Sequence, residues 1–174
     1  MTEFQRKVVK NDFDDAFDEF EDAQEDKFPT FRVGKEEYGI EIRYVTEIVG
    51  IQKITEVPEM PDYVKGVINL RGNVIPVVDV RLMFKMQPFE YDDRTCVIVV
   101  TIEESPIGLV VDTVKEVVSI LPDRISPAPQ MSKGKMGRYV NGIGRMDEEV
   151  IILLAIDKLL SDEHLSRIVS STEA

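Results

Sequence analysis

The sequence predicts a mainly β fold, two small β-barrels with short helices, and three observations carry that prediction. Short runs rich in Val, Ile, Tyr and Phe recur along the chain, each bounded by Gly, Pro, Asn or Asp, the pattern of strands joined by tight turns. Part of the first half recurs in the second. Helical spacing of apolar residues is clearest at the two ends. Many short strands, present twice over, argue for two barrels sharing one chain.

The repeat is visible residue by residue. Glu36–Val49 (EEYGIEIRYVTEIV) aligns with Ser105–Val118 at an offset of 69. Gly39 then falls on Gly108, Val45 on Val114, Glu47 on Glu116 and Ile48-Val49 on Val117-Val118. Further along, Gly66 falls on Gly142, and Asp79 with Leu82 on Asp157 with Leu160, the offset drifting to 78. Two copies of one β unit also predict a groove between them, a natural seat for a ligand or a partner helix.

Taken in order, residues 1–27 read as an acidic tail. Val9, Phe13, Phe17 and Phe20 share one face at helical spacing. Two readings stay open: a solvated extension, or an acidic amphipathic helix that docks on a basic, apolar groove of a partner or of this chain. Phe31–Val33 and Tyr38–Ile42 flank a Gly34 turn as a first hairpin. Tyr44–Val49 is too short for periodicity to separate a helical turn from a strand. Ile51–Val57 alternates and predicts a strand, and Pro58 and Pro61 end it.

Tyr63–Phe84 (YVKGVINLRGNVIPVVDVRLMF) is the central stretch. Two β-branched runs around Arg71-Gly72-Asn73 predict a hairpin. Pro76 cannot donate to a ladder, so its position should be an edge, a bulge or a place with a free donor side. Thr95–Ile102 and Ile107–Val111 form the next hairpin, and 121–138 reads as a long Pro/Lys/Gly-rich connection. Tyr139–Arg145 and Val150–Ile156 form the last hairpin, and residues 157–170 a terminal helix.

Composition narrows function. The 174 residues include 33 Asp+Glu against 21 Lys+Arg, net −12, and are 43% hydrophobic. Ten of the acids and four of the bases lie in residues 1–27, so the tail carries half of the net charge. An acidic balance argues against nucleic acid or direct membrane contact, since phosphate surfaces need clustered Lys and Arg. One cysteine, Cys96, excludes an internal disulfide and a cysteine metal cluster. No signal-peptide core or bilayer-length apolar run is present, which predicts a soluble, cytoplasmic protein. The start Met, tail and terminal helix suggest a free-standing chain.

No catalytic constellation emerges, and no metal or cofactor is expected. His164 sits in a polar, acidic context and Cys96 inside an apolar strand, where a thiol behaves as a small hydrophobe. A Cys–His pair would require these two to meet. Gly134-Lys135 lacks the following Ser/Thr and the upstream glycine of a phosphate loop. What remains is a binding surface. Arg71, beside a turn with no acidic neighbour in sequence, either satisfies nearby carbonyls and pins the turn, or contacts a partner, and its stem and fork are able to do both.

Val64–Gly72 (VKGVINLRG) followed by Ile75–Arg81 (IPVVDVR) closely resembles the CheW family of bacterial chemotaxis coupling proteins. The likeness runs from about Phe28 to Leu160, through Glu37–Ile40, Val45–Ile48, Gly108–Asp112 and Ile156–Leu160. The acidic tail lies outside it. The resemblance implies two SH3-like five-stranded barrels, the first mainly 33–94, the second mainly 95–160 plus a first strand at 28–32. It implies a non-enzymatic adaptor between methyl-accepting chemotaxis receptors and the regulatory domain of the CheA histidine kinase, at receptor arrays on the inner side of the membrane. It places kinase binding at Val45, Glu47 and Ile48, receptor binding at Val97 and Gly108, and coupling at Gly66 and Arg71. Val45 and Ile48 would then form an exposed apolar anchor rimmed by Glu47. Other readings are a free-standing regulatory domain of another signalling kinase, a groove-type peptide-binding module, or an enzyme or small-molecule binder using the groove.

Overall fold

The structure is a computed structural model that describes residues 26–128 and 139–160. The predicted tail up to residue 25, Gly134-Lys135, His164 and the predicted terminal helix beyond residue 160 lie outside the described residues.

The strands in chain order are β1 (Lys27–Val33), β2 (Glu36–Gly39), β3 (Val45–Gly50), β4 (Val64–Leu70), β5 (Asn73–Asp79), β6 (Cys96–Ile102), β7 (Ser105–Val111), β8 (Thr113–Ser119), β9 (Ile125–Ser126), β10 (Val140–Met146) and β11 (Glu149–Leu154). Short helices α1 (Val80–Met83) and α2 (Ile156–Leu160) follow β5 and β11. Asp79 caps α1, its Oδ1 accepting the Leu82 N–H at 3.2 Å. Of the two readings left open for Tyr44–Val49 the strand holds: Val45–Val49 lie in β3, and a 3-10 turn at Ile42–Tyr44 precedes it.

Two sheets result. One has five strands in the order β3-β6-β7-β5-β4, the other six in the order β8-β1-β2-β11-β10-β9. The chain is therefore not divided between sheets near residue 94, as the expected barrel limits of 33–94 and 95–160 had it. The strand at 28–32 does lie in the sheet of the second half, but β2 goes with it, and β6 and β7 cross over to complete the sheet of β3, β4 and β5. Each repeat lends its first hairpin to the other. The exchange is near-symmetric: β5 pairs parallel with β7 through Val77↔Gly108, and β11 pairs parallel with β2 through Leu153↔Gly39.

This exchange explains the uninterrupted apolar runs. In β6, Ile98 and Val100 face a large central core that also holds Phe31, Tyr38 and Ile156, while Val97 and Val99 face a smaller core within the five-stranded sheet. Phe28, Ile120, Ile151 and Leu153 form the matching small core of the six-stranded sheet. A strand buried on both faces must be apolar at every position. Each such Val or Ile contributes on the order of 1.5–3 kcal/mol of burial.

Ile51–Val57 is not a strand. It makes one bridge, Thr55↔Val67, with reciprocal backbone bonds of 2.8 and 2.9 Å. Ile51 and Ile54 pack onto the small core instead, so the segment crosses the end of the sheet and does not extend it. Because Thr55 takes both backbone groups of Val67, Val67 makes no ladder bond to its cross-strand partner Pro76. Proline is tolerated in β5 for that reason: its missing donor faces away from β4.

Candidate functional site

The candidate site is built by the tip of the β4–β5 hairpin reaching the edge strand β3. A two-residue turn at Arg71-Gly72 has positive φ at both positions, 54° and 87°, the geometry of a type I′ hairpin. The Asn69 side chain accepts the Gly72 N–H at 2.9 Å and holds the turn. On β3, the register slips between Val45 and Glu47. This bulge leaves Thr46 exposed, its hydroxyl 2.5 Å from that of Thr101, and separates Glu47 from its buried neighbours.

Arg71 and Glu47 meet as a fork. Arg71 Nη1 donates to Glu47 Oε2 at 2.8 Å and Nη2 to Oε1 at 2.9 Å. The arginine side chain is 71% exposed and the glutamate 24%, so the pair stands at the surface with its carboxylate half sheltered. Arg71 thus has an acidic partner after all, 24 residues away in sequence. Its guanidinium bonds that carboxylate, an arrangement that neither of the two sequence readings, nearby carbonyls or a partner contact, had named.

The fork stands beside an open cleft of about 660 Å³ that Thr46, Val74, Thr101, Glu104 and Pro106 help to line. Val74 is half exposed. Thr101, Glu104 and Pro106 were missed by sequence reasoning. They come from the β6–β7 hairpin, which reaches this site only because the repeats exchange hairpins, and no local pattern carries that information.

Of the other predicted residues, Val45 and Ile48 are placed differently from expectation. Val45 and Ile48 are 4% and 7% exposed and belong to the central core. They are not an exposed anchor: the bulge directs both inward and leaves only Thr46 and Glu47 of this run at the surface. Val97 and Gly108 are also buried, on neighbouring strands. A Cβ on Gly108 would lie 2.7 Å from Val97 Cγ1 and 2.8 Å from Val77 Cγ1, so the glycine lets β5, β6 and β7 close on one another. Gly66, at φ 140°, sits where a Cβ would lie 2.0 Å from the Thr55 carbonyl oxygen. It holds the base of the hairpin that carries Arg71. Lys65 is directed elsewhere, its Nζ 5.9 Å from the Tyr91 ring centroid.

A second polar cluster ties the exchanged hairpins together away from the cleft. Arg81 donates to Asp112 through Nε at 3.2 Å and Nη2 at 2.6 Å, and Asp112 also accepts the Gly34 N–H at 2.8 Å. The Asp112 hydrogen bond raises the pKa of Arg81 further, against some desolvation. Asp79, buried, accepts a 2.6 Å bond from the Tyr91 hydroxyl. Burial first, and this bond second, push the tyrosine pKa well up. Burial likewise raises that of the Cys96 thiol. No helix among the described residues is long and apolar enough to cross a membrane.

Two intertwined β-sheets that brace an ion-paired rim beside an open cleft define a protein-binding module. The comparisons say which kind. A family model described as the CheW-like domain matches residues 27–164. The chain is 41% identical over 140 residues to the chemotaxis protein CheW of Klebsiella aerogenes, covering 80% of this chain and 84% of that one. It is 32% identical over 165 residues to the CheW of Helicobacter pylori, covering 89% and 99%. The crystal structure of the scaffolding protein TtCheW from Thermoanaerobacter tengcongensis superposes with a TM-score of 0.69 at 35% identity, covering 74% of this chain and 88% of that one. The chain belongs to the CheW family. It is a non-enzymatic coupling adaptor of chemotaxis signalling, and its two sheets match the fold of two SH3-like barrels.

Proposed function

We propose that this chain holds two partners at once: the regulatory domain of the CheA histidine kinase and the cytoplasmic tip of a methyl-accepting chemotaxis receptor, in arrays on the cytoplasmic side of the membrane. The observation that carries this reading is the Arg71–Glu47 fork beside an open cleft. Exposed charge of this kind sets orientation and specificity more than affinity, and half-exposed Val74 supplies apolar area next to it.

The kinase face consists of Glu47 and its surroundings, with Val45 and Ile48 acting from beneath by fixing the course of β3. The receptor groove depends on Val97 and Gly108 in the same indirect way. Both are buried, so they set how closely β6 and β7 lie and thereby shape the groove wall. Gly66 and Arg71 serve coupling, the first by seating the hairpin and the second through its fork. One body with two such faces raises the effective concentration of each partner near the other. A change in kinase activity further requires different affinity for the kinase's two states.

The test is capture of purified protein by the kinase regulatory domain and, separately, by a receptor cytoplasmic hairpin, comparing wild type with Glu47→Lys. Binding to both partners, with kinase binding alone lost in the variant, is the expected result. Wild-type protein that binds neither would overturn the proposal.

A further inference from the structure

We propose that the acidic N-terminal segment docks back on this chain, with the apolar face of Val9, Phe13, Phe17 and Phe20 covering a patch formed by Leu121, Arg124, Arg145 and Val150. The patch lies at the β11-β10-β9 end of the six-stranded sheet, whereas the Arg71 hairpin belongs to the five-stranded one.

Four observations converge there. The described chain enters at this place, since the Ile120 N–H donates to the Asp26 carbonyl at 2.9 Å and Leu121 is the next residue. Leu121 and Val150 are 53% and 54% exposed, two of the five large hydrophobic residues so exposed among the described residues. Arg145 links the two segments: Val150 is its cross-strand partner, and its Nη2 donates to the Asp123 carbonyl at 3.4 Å, one residue from Arg124 and two from Leu121. Finally, Arg32, Arg43, Arg71 and Arg81 all pair with carboxylates, whereas Arg124 and Arg145, like Arg94, are in no ion pair among the described residues.

The occupant fits in composition and reach. Residues 1–25 carry nine acids against three bases, and four apolar side chains at helical spacing. Phe20 is six residues before Asp26, so even a taut linker brings it within about 20 Å of the entry point. Tethering at that distance gives an effective concentration on the order of millimolar, enough for a small apolar contact at Leu121 and Val150, beside two arginines and the exposed acids Asp123, Asp147, Glu148 and Glu149.

Paramagnetic relaxation on the full chain tests this. A spin label is attached at Ala16→Cys, the native Cys96 being buried, and amide signals are read. The expected result is selective broadening at Leu121, Arg124, Arg145 and Val150. It should vanish when Phe13, Phe17 and Phe20 are changed to Ser, and separately in Arg124→Glu/Arg145→Glu. Uniform or absent broadening, or broadening centred on another face, overturns the proposal. So does broadening seen only when label and isotope are on different molecules, which would make the occupant a second copy of the chain.

Discussion

Arg71 at the tip of the β4–β5 hairpin and Glu47 on β3 join the two edges of the five-stranded sheet, whose edge strands β3 and β4 lie at opposite ends of the strand order. Two parallel bonds fix both side chains in one orientation. An exposed pair of this kind adds little stability, on the order of 0–1 kcal/mol, so its value is positional. We expect Arg71→Glu to keep the wild-type circular dichroism spectrum and midpoint within that margin while losing partner coupling. The charge-swapped double variant Glu47→Arg/Arg71→Glu should regain part of it. An unfolded Arg71→Glu would make the arginine a turn anchor and nothing more.

The two glycines of this hairpin should respond unequally. Gly66→Ala combines left-handed strain with a carbonyl 2.0 Å from the new Cβ, and we expect a loss of about 3 kcal/mol or more in urea unfolding. Gly72→Ala has no heavy atom within 4 Å of its Cβ, so only the backbone term applies, about 1 kcal/mol. Equal losses would show that the Thr55 contact yields freely.

Gly108→Ala should act through Val97. The added methyl overpacks the β6–β7 interface at a cost of about 1–3 kcal/mol, and shortening the facing side chain makes room for it. A double-mutant cycle with Val97→Ala should therefore give a favourable coupling of roughly 0.5–3 kcal/mol. Additive losses would place the strain at Val77 instead.

Alkaline titration should separate the tyrosines. Burial, with a smaller contribution from Glu36, raises Tyr38 from 10.0 to about 12, and Tyr91 is also raised. The neutral phenol is favoured in the folded state, so this stability is complete below pH 10 and is lost as pH rises through the folded values. The tyrosinate absorbance should show a late, unfolding-linked phase. Tyr91→Phe should lessen that late phase, and a single ordinary transition for every tyrosine would contradict the buried environments.

Much of this was legible in the chain itself. Alternating and β-branched runs located the hairpins, and the offset between Gly39 and Gly108 showed a repeated unit. Pro76 announced a strand position with no donor to spare. The motif around Asn69-Leu70-Arg71-Gly72 pointed to the family. These are local signals, because turn chemistry and strand period depend on neighbours a few residues apart.

Tertiary structure alone decided which repeat each hairpin serves, because β1–β2 and β6–β7 obey the same period in either sheet. It decided that Val45 and Ile48 are buried while Glu47 is not, since a one-residue bulge redirects side chains without altering the sequence pattern around it. It also supplied the acidic partner of Arg71, as an ion pair between residues 24 positions apart exists only once two edge strands have been brought together. Spacing along a chain specifies its elements. Pairing across a fold is set by which buried faces those elements share.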